Sequence, residues 1–459
     1  MNKVLRYFFF FLLIHFSIDL VAQDASIKQQ HKVKKSETLF GIAKHYSISI
    51  EELMTVNPEM KMEGYQLKKG DYINIPFSTK EKKTQPKQAQ NNQQQIQIQV
   101  KDQVSQKKDG TIRVGVMLPL HDLNGDGRRM IEYYRGLLLA CDRLKKDNIS
   151  IDIRAWNVPI DSDIRTTLLD QDAAKCDLIF GPLYTPMVKP LADFCKKNDI
   201  KLVIPFSISG NDVASCDKIF QVYQTPETLN SITSESFIKQ FSGYHPIIVD
   251  AEDPNSDKGA FTTELRRQLD KNGISYSLTS LKSSDENFAK SFTLSRPNVV
   301  IINTGRSPEL NTLFQRLDRL SAANINLSVS LFGYTDWFIY ITPYQNYFHK
   351  YDTYIPTTFY YNSSSNDTRW VEANYKSWFK NDMMYALPHF GLTGFDHGCF
   401  FIGGFHKFGK AFTGGKGQST YRAVQTPLQF KRIGQGGMQN EEFMLIHYKK
   451  DKSIDAINF

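Results

Sequence analysis

Residues 112–119 read Ile-Arg-Val-Gly-Val-Met-Leu-Pro, and residues 128–146 follow with apolar side chains at helical spacing. The first run has the length and composition of a buried strand, and the second places Ile131, Tyr134 and Leu138 on one helix face. A buried strand followed by an amphipathic helix is the first half of a βαβ unit, whose strands are parallel. This stretch therefore predicts an α/β fold with parallel sheets.

The alternation of strands and helices continues along the chain and restarts after about residue 226. It predicts further strands at 150–156, 177–180, 201–204, 246–250, 275–279, 299–303 and 328–332, and helices at 163–175, 186–197, 229–241 and 258–272. Two successive α/β units of this size predict two lobes with a cleft between them.

The first 23 residues have the pattern of a secretory signal peptide. Lys3 and Arg6 precede an apolar run at 7–16, and Ala22 supplies a small residue for cleavage. This run is shorter than the roughly 20 residues that a membrane-spanning helix needs. We therefore expect export to the periplasm or cell envelope, with no membrane span after cleavage.

Two segments of different composition follow the signal peptide. Residues 31–76 form a compact, patterned unit, whereas residues 77–110 are rich in Lys and Gln and poor in apolar side chains. Such a tract buries too little surface to offset its chain entropy, so we predict a disordered linker.

The compact unit has the pattern of a βααβ module. A short strand at 31–33 precedes a helix that contains Ile42, and a strand at 72–76 ends the unit. Ser49 and Glu52 have the spacing of a capping box, which marks the start of a second helix.

Three stretches of this unit, at 33–43, 53–58 and 67–76, resemble the signature of LysM modules. The usual Gly-Asp is replaced here by Ser36-Glu37. The resemblance implies a shallow groove that binds N-acetylglucosamine-containing glycans such as peptidoglycan. The groove residues that it implies are Glu37, Thr38, Leu39, Phe40, Asn57, Pro58, Tyr65 and Gln66. Leu39 and Asn57 have the alternative role of holding the module together.

Residues 111–450 resemble the type I (leucine/isoleucine/valine-type) periplasmic binding proteins. The resemblance rests on Leu118-Pro-Leu120, residues 134–140, Cys176 to Thr185, Val203 to Ser207 and the Gly- and Phe-rich segment 390–408. In that family the second lobe is inserted in the first, so we expect three crossings, near residues 222, 345 and 415. These crossings assign 111–222 and 346–415 to lobe 1 and 223–345 and 416–450 to lobe 2.

The same resemblance implies a ligand site in the cleft, at the carboxyl ends of the strands. Groups that follow Gly-Pro and Pro205 would hold a ligand carboxylate, and an acidic residue of lobe 2 would bind its ammonium. The implied residues are Leu183, Tyr184, Thr185, Phe206, Ser207, Ser209, Tyr223 and Asp336. As alternatives, Thr185 and Ser207 cap helices, Asp336 is a solvated loop residue, and Tyr184 with Phe206 narrows the cleft.

Composition and motifs exclude several function classes. A net charge of +8 over 459 residues, without a basic stripe interleaved with aromatic residues, argues against a nucleic-acid partner. The sequence contains no His-Glu-x-x-His, Gly-x-Ser-x-Gly or Walker motif, so we expect a protein that is not an enzyme. His389 and the pair Asp396-His397 could serve metal or acid–base chemistry, but lone histidines are more often structural.

No cofactor or metal is expected. The five cysteines, at 141, 176, 195, 216 and 399, match no zinc spacing, and we interpret them as core residues or partners in one or two disulfides. Residues 122–127 resemble the start of an EF-hand, but Tyr133 stands where the twelfth-position glutamate would be.

The leading hypothesis is a peptidoglycan-associated binding protein whose two-lobed domain captures a small ligand, such as an amino acid or a wall peptide, as substrate-binding proteins of amino acid transport do. The second hypothesis is a ligand-free scaffold or regulator of cell-wall assembly that docks an envelope protein. A glycan-cleaving enzyme ranks last, because no carboxylate pair is evident.

Overall fold

A computed structural model describes residues 27–34, 42–43, 45–46, 48, 50–57, 60, 69–76, 110–206 and 211–458. The chain divides into two compact units, Met1–Gln103 and Val104–Phe459. The proposed signal peptide and nearly all of the proposed linker lie outside the described residues.

The first unit is built on a two-stranded antiparallel sheet of β1 (Ile27–Lys32) and β2 (Tyr72–Pro76). Ile42 and Ala43 are helical, and helix α1 spans Ile50–Thr55. The strand, helix, helix, strand order agrees with the predicted βααβ module, although β1 starts four residues before the predicted strand. The buried core consists of Val33, Ile42, Ala43, Ile48, Leu53, Met60, Ile73 and Ile75.

The second unit contains two seven-stranded sheets, which confirm the predicted α/β fold. The lobe 1 strands are β3 (Ile112–Leu118), β4 (Ile151–Asn157), β5 (Leu178–Phe180), β6 (Lys201–Ile204), β7 (Ile219–Gln221), β13 (Phe430–Arg432) and β14 (Met438–Asn440). Their order is β13-β14-β7-β6-β5-β3-β4, and each neighbouring pair is parallel except β13 with β14.

The lobe 2 strands are β8 (His245–Asp250), β9 (Ser277–Ser280), β10 (Asn298–Ile302), β11 (Val329–Phe332), β12 (Thr353–Thr357), β15 (Met444–Tyr448) and β16 (Ile454–Asn458). Their order is β16-β15-β12-β11-β10-β8-β9, and the two final strands of the chain are antiparallel to their neighbours. All eight strands predicted for this unit lie within two residues of the observed strands.

The longer helices are α2 (Gly125–Lys145), α4 (Val188–Asn198), α6 (Pro226–Gln240), α7 (Gly259–Lys271), α9 (Ser307–Ala323), α10 (Ile341–Lys350), α11 (Asn366–Phe379) and α12 (Phe390–Phe408); the short ones are α3 (Ile164–Thr167), α5 (Asp212–Ser215) and α8 (Asp285–Ala289). The helix predicted at 163–175 is wrong in its extent. Helix α3 ends at Thr167, and the Asp170 carboxylate, which accepts hydrogen bonds from the Asp172 N–H and the Trp156 indole, holds the turn that follows.

Two of the three expected crossings between the lobes lie elsewhere. The first crossing falls between β7 and α6, as expected near residue 222. Residue 345 lies inside α10, which leads into β12 of the lobe 2 sheet, so the second crossing follows residue 357. Residue 415 precedes β13 and β14, which join the lobe 1 sheet beside β7, so the third crossing is at 441–443.

Helices α2 and α12 of lobe 1 pack against each other at unusually short range. A Cβ atom on Gly394 would lie 2.0 Å from the Tyr133 carbonyl oxygen, and one on Gly136 would lie 2.0 Å from the Gly391 carbonyl oxygen. Only glycine permits this approach, because these neighbouring atoms belong to the backbone. The glycines of segment 390–408 therefore allow α12 to pack closely against α2.

Candidate functional site

In the first unit, Asn57 is the one residue of the implied glycan groove that the structure describes. Glu37, Thr38, Leu39, Phe40, Pro58, Tyr65 and Gln66 lie outside the described residues. Asn57 is buried, its amide donates to the carbonyls of Leu53 and Asn74, and its carbonyl accepts from the Asn74 N–H, each at 2.7 Å. Its side chain therefore joins the end of α1 to β2, which is the alternative role considered for it.

We expect Asn57→Ala to destabilise the first unit by about 1–3 kcal/mol, because it removes hydrogen bonds from a buried backbone group of Leu53 and from half-buried backbone groups of Asn74. Hydrogen exchange of peptides covering 27–76 measures this, and faster exchange is expected. All four tryptophans belong to the second unit, so their fluorescence is the internal control. Unchanged exchange in peptides 27–76 would show that Asn57 does not hold the module together.

In the second unit, the carboxyl ends of strands from both lobes meet at a cavity near the crossings. Residues that follow β6 and β7 of lobe 1 and β12 of lobe 2 line it, and its volume is about 70 Å³. The lining residues are Pro205, Phe206, Val222, Tyr223, Gln224, Leu229, Thr358, Phe359, Pro388, Thr393, His397, Thr426 and Asn440. We call it the hinge cavity.

Aromatic rings occupy much of the space around the hinge cavity. The ring of Phe206 packs edge-to-face on Tyr133, with centroids 5.1 Å apart, and lies 5.6 Å from the ring of Phe390. Tyr223 is 43% exposed. Of the eight implied ligand residues, Phe206 and Tyr223 are the two that line this cavity, and Ser207 and Ser209 lie outside the described residues.

Two buried polar atoms of the hinge cavity have no hydrogen-bond partner among the described residues. They are the Nε2 atom of His397 and the Oε1 atom of Gln224. His397 forms a 2.9 Å hydrogen bond with the Tyr133 hydroxyl through Nδ1, and the Gln224 amide donates to the Glu442 carbonyl. A cavity of this size accommodates about two water molecules, which would satisfy both atoms. Sequence reasoning missed Gln224 and treated His397 as structural.

Burial lowers the pKa of His397 to about 3. The unfolded chain, in which a histidine pKa is about 6.5, then binds a proton that the folded chain does not, and stability falls as the pH drops below about 6.5. We expect the wild type to lose about 2 kcal/mol more than His397→Gln between pH 7.5 and pH 5. Urea unfolding followed by tryptophan fluorescence at both pH values measures this. Equal losses of stability in the two proteins would contradict the lowered pKa of His397.

The Gly-Pro loop of lobe 1 forms a different groove. Leu183, Tyr184 and Thr185 line it together with residues 160–165, and its volume is about 530 Å³. The Tyr184 hydroxyl donates to the Asp126 carboxylate at 3.4 Å, and Thr185 begins a short 3₁₀ helix. These three implied ligand residues therefore lie in one groove, separate from the hinge cavity.

In lobe 2, Asp336 forms an ion pair rather than standing as an unpaired carboxylate. The Lys258 ammonium lies 3.0 Å from the Asp336 carboxylate, and both side chains lie against Gly305. Burial lowers the pKa of Lys258, but the hydrogen bonds with Asp336 and Asp257 outweigh this effect and raise it. Lys258 is shared between Asp336 and Asp257, each at 3.0 Å, so the three groups together carry a net charge of −1.

Large apolar side chains are exposed just beyond the carboxyl ends of three strands. Leu123 follows β3 and is 84% exposed, Ile160 follows β4 and is 65% exposed, and Ile339 follows β11 of lobe 2 and is 65% exposed. We call these three side chains the apolar rim. Leu123 and Ile160 follow neighbouring parallel strands and therefore lie at the same edge of the lobe 1 sheet, whereas Ile339 follows a strand of the lobe 2 sheet. Exposed apolar groups that form one patch are typical of surfaces that bind other proteins.

Among the described residues, no cluster of three or more His, Cys, Asp or Glu side chains could hold a metal ion. All five cysteines are free thiols, and the described helices include none that is long and apolar enough to cross a membrane.

The second unit has the fold of the type I periplasmic binding proteins. A branched-chain amino acid ABC transporter protein from Rhodospirillum rubrum superposes with a TM-score of 0.54 at 12% identity, over 76% of this chain and 100% of the other. An ABC transporter substrate-binding protein from Desulfitobacterium hafniense in complex with Leu gives a TM-score of 0.40 at 12% identity, over 76% and 100%. Full-length LpoA from Haemophilus influenzae gives 0.46 at 12% identity, over 76% and 59%.

The first unit carries a LysM domain, since residues 31–76 match the family profile of that description. This match confirms the resemblance drawn from the three sequence stretches. A search of curated proteins found no match to the chain.

Proposed function

We propose that this chain is an exported, non-catalytic protein that its LysM module holds at peptidoglycan and whose two-lobed unit docks an envelope protein. The LysM match supports glycan binding by the first unit. It also supports a location outside the cytoplasm, in agreement with the signal peptide predicted at residues 1–23.

The observation that carries the docking function is the apolar rim. Leu123, Ile160 and Ile339 come from both lobes and are exposed beyond the carboxyl ends of strands, the edge at which open α/β sheets bind their partners. A partner that covers these side chains removes their apolar surface from water, at roughly 25 cal/mol per Å². Tethering to the wall raises the local concentration of this surface, so weak docking suffices.

Capture of an amino acid has less support. The hinge cavity, at about 70 Å³, is well below the roughly 300 Å³ at which ligand pockets begin. The groove at Leu183, Tyr184 and Thr185 is large enough, at about 530 Å³, but lobe 1 residues alone line it. Asp336, the residue implied for the ligand ammonium, already forms an ion pair with Lys258. Small-ligand capture remains the second candidate because the hinge cavity presents two unpaired polar atoms, on His397 and Gln224.

Two measurements on the full chain separate the candidates. Amino acids, wall peptides and sugars are added while tryptophan fluorescence follows thermal unfolding of the second unit, and we expect no shift, because binding to the native state would raise Tm. A photo-crosslinking amino acid at 160 or 339 is expected to capture one envelope protein in the producing cells. The same label at Leu278, which is 55% exposed and lies on β9, is the control. A selective Tm shift by an amino acid, without crosslinks, would favour small-ligand capture over docking.

A further inference from the structure

A second groove runs along β16, the last strand of the lobe 2 sheet. All five β16 residues line it, together with lobe 1 residues 421–429. Glu442, in the third crossing between the lobes, also lines this groove, which has a volume of about 860 Å³. Pockets that hold ligands have volumes of roughly 300–1,000 Å³, so the space is sufficient for a short segment of chain.

The groove exposes an open sheet edge. β16 pairs with β15 on one side, and among the described residues no strand pairs with its other side. Backbone N–H and C=O groups of alternate β16 residues therefore face the groove. An extended peptide can add to such an edge as a further strand, with backbone hydrogen bonds that supply affinity. Five residues of β16 offer an edge of about 17 Å.

The charges that line the groove favour a basic occupant. Its acidic residues are Asp367, Glu442 and Asp455, against one arginine, Arg422. Asp455 is paired with Lys449, whereas the described residues provide no ion pair to the half-buried Glu442 carboxylate. Burial raises the pKa of Glu442, so a cation beside it would stabilise its ionised form.

We propose that this groove binds an extended segment of the partner protein as an eighth strand beside β16, with a lysine or arginine side chain opposite Glu442. The inference rests on the docking function and assigns a surface to it. A second copy of the chain is a poorer occupant, because pairing two β16 edges would face one acidic groove with another. The backbone edge selects an extended conformation, and Glu442 selects the basic side chain.

The test starts with a displayed library of random seven-residue peptides, selected on the full chain and counter-selected on Glu442→Gln. We expect a consensus that contains one lysine or arginine among residues suited to a strand. Fluorescence anisotropy of the synthetic consensus peptide then gives its Kd. Glu442→Gln is expected to weaken binding about tenfold, which corresponds to roughly 1.4 kcal/mol. Asp193→Asn, which changes an exposed acid on α4, is expected to leave the Kd unchanged.

A second comparison tests strand addition without any change to the protein. The consensus peptide methylated at alternate backbone nitrogens keeps its side chains but loses the donors that strand pairing needs, so we expect it not to bind. The absence of a basic consensus, equal binding to Glu442→Gln, or binding of the methylated peptide would each overturn the proposal. A photo-crosslinking label at Asp455 distinguishes failure of the groove proposal from failure of the docking function. Crosslinks from 160 or 339 but not from 455 would reject the groove and keep the docking function, and crosslinks from none would reject both.

Discussion

Replacing Gly394 with alanine is expected to lower the free energy of unfolding of the two-lobed unit by about 3 kcal/mol or more. The new Cβ atom would lie 2.0 Å from the Tyr133 carbonyl oxygen and 3.2 Å from the Leu137 nitrogen. Both atoms belong to the backbone of α2, so the strain is relieved only if α2 and α12 move apart. Separation of these helices would also disturb the Tyr133–His397 hydrogen bond beside the hinge cavity.

Gly403→Ala is the matched control for this prediction. Gly403 lies on the same helix, α12, but the nearest atom to a Cβ there is 3.7 Å away, on the flexible Leu144 side chain. Alanine is a better helix former than glycine by about 1 kcal/mol, so this variant is expected to be as stable as the wild type or slightly more stable. Urea unfolding followed by tryptophan fluorescence compares the three proteins. Similar midpoints for the two variants would contradict the close packing of α2 and α12.

Asp396→Ala is the second change with a large expected effect, about 3–5 kcal/mol of lost stability. The buried Asp396 carboxylate accepts hydrogen bonds from the Tyr421 hydroxyl and from the N–H groups of Val424, Gln425 and Thr426, at 2.6–2.8 Å. Alanine would remove the acceptor of these four donors, which are buried or half-buried. Because residues 421–426 line the groove beside β16, the consensus peptide is also expected to bind more weakly.

Burial raises the pKa of Asp396 to about 6, although its hydrogen bonds partly offset this effect. The stabilities of the wild type and Asp396→Ala are therefore compared at pH 7.5, where the carboxylate is ionised. Asp193→Ala removes an exposed carboxylate whose ion pair is with Lys189 and is expected to change stability by less than about 0.5 kcal/mol. Equal effects of the two substitutions on the urea midpoint would show that Asp396 does not hold the segment 421–426.

The parts of the fold that local periodicity determines could be predicted from the sequence. The run 112–119 has the length and composition of a buried strand, the segment after it has apolar side chains at helical spacing, and the observed elements agree. The second and third crossings could not be placed in this way. They depend on which sheet β12 and β14 join, and that choice is made by pairing between residues far apart in the chain.

The candidate site was less predictable for the same reason. Asp336 has the residue type and strand-end position suited to an ammonium, but its ion pair is with Lys258, 78 positions earlier in the chain. Thr185 and Phe206 both follow strands of lobe 1, yet they line different cavities. His397 acquires its environment from Tyr133 of α2, so no local pattern could reveal its unpaired nitrogen.

The docking function and the groove beside β16 give the two units complementary roles. The LysM module would fix the chain to the wall, and the two-lobed unit would offer the apolar rim and an open strand edge to a partner. Neither role needs a catalytic residue.

Co-sedimentation with insoluble peptidoglycan tests the central claim most directly. The full chain and a variant that lacks residues 31–76 are incubated with purified peptidoglycan and centrifuged, and tryptophan fluorescence verifies that the second unit is folded in both. The account predicts that the full chain sediments with the glycan, is released by soluble N-acetylglucosamine oligomers, and loses sedimentation when residues 31–76 are deleted. Equal sedimentation of the two proteins, or none by the full chain, would contradict the claim that the LysM module attaches this protein to the wall.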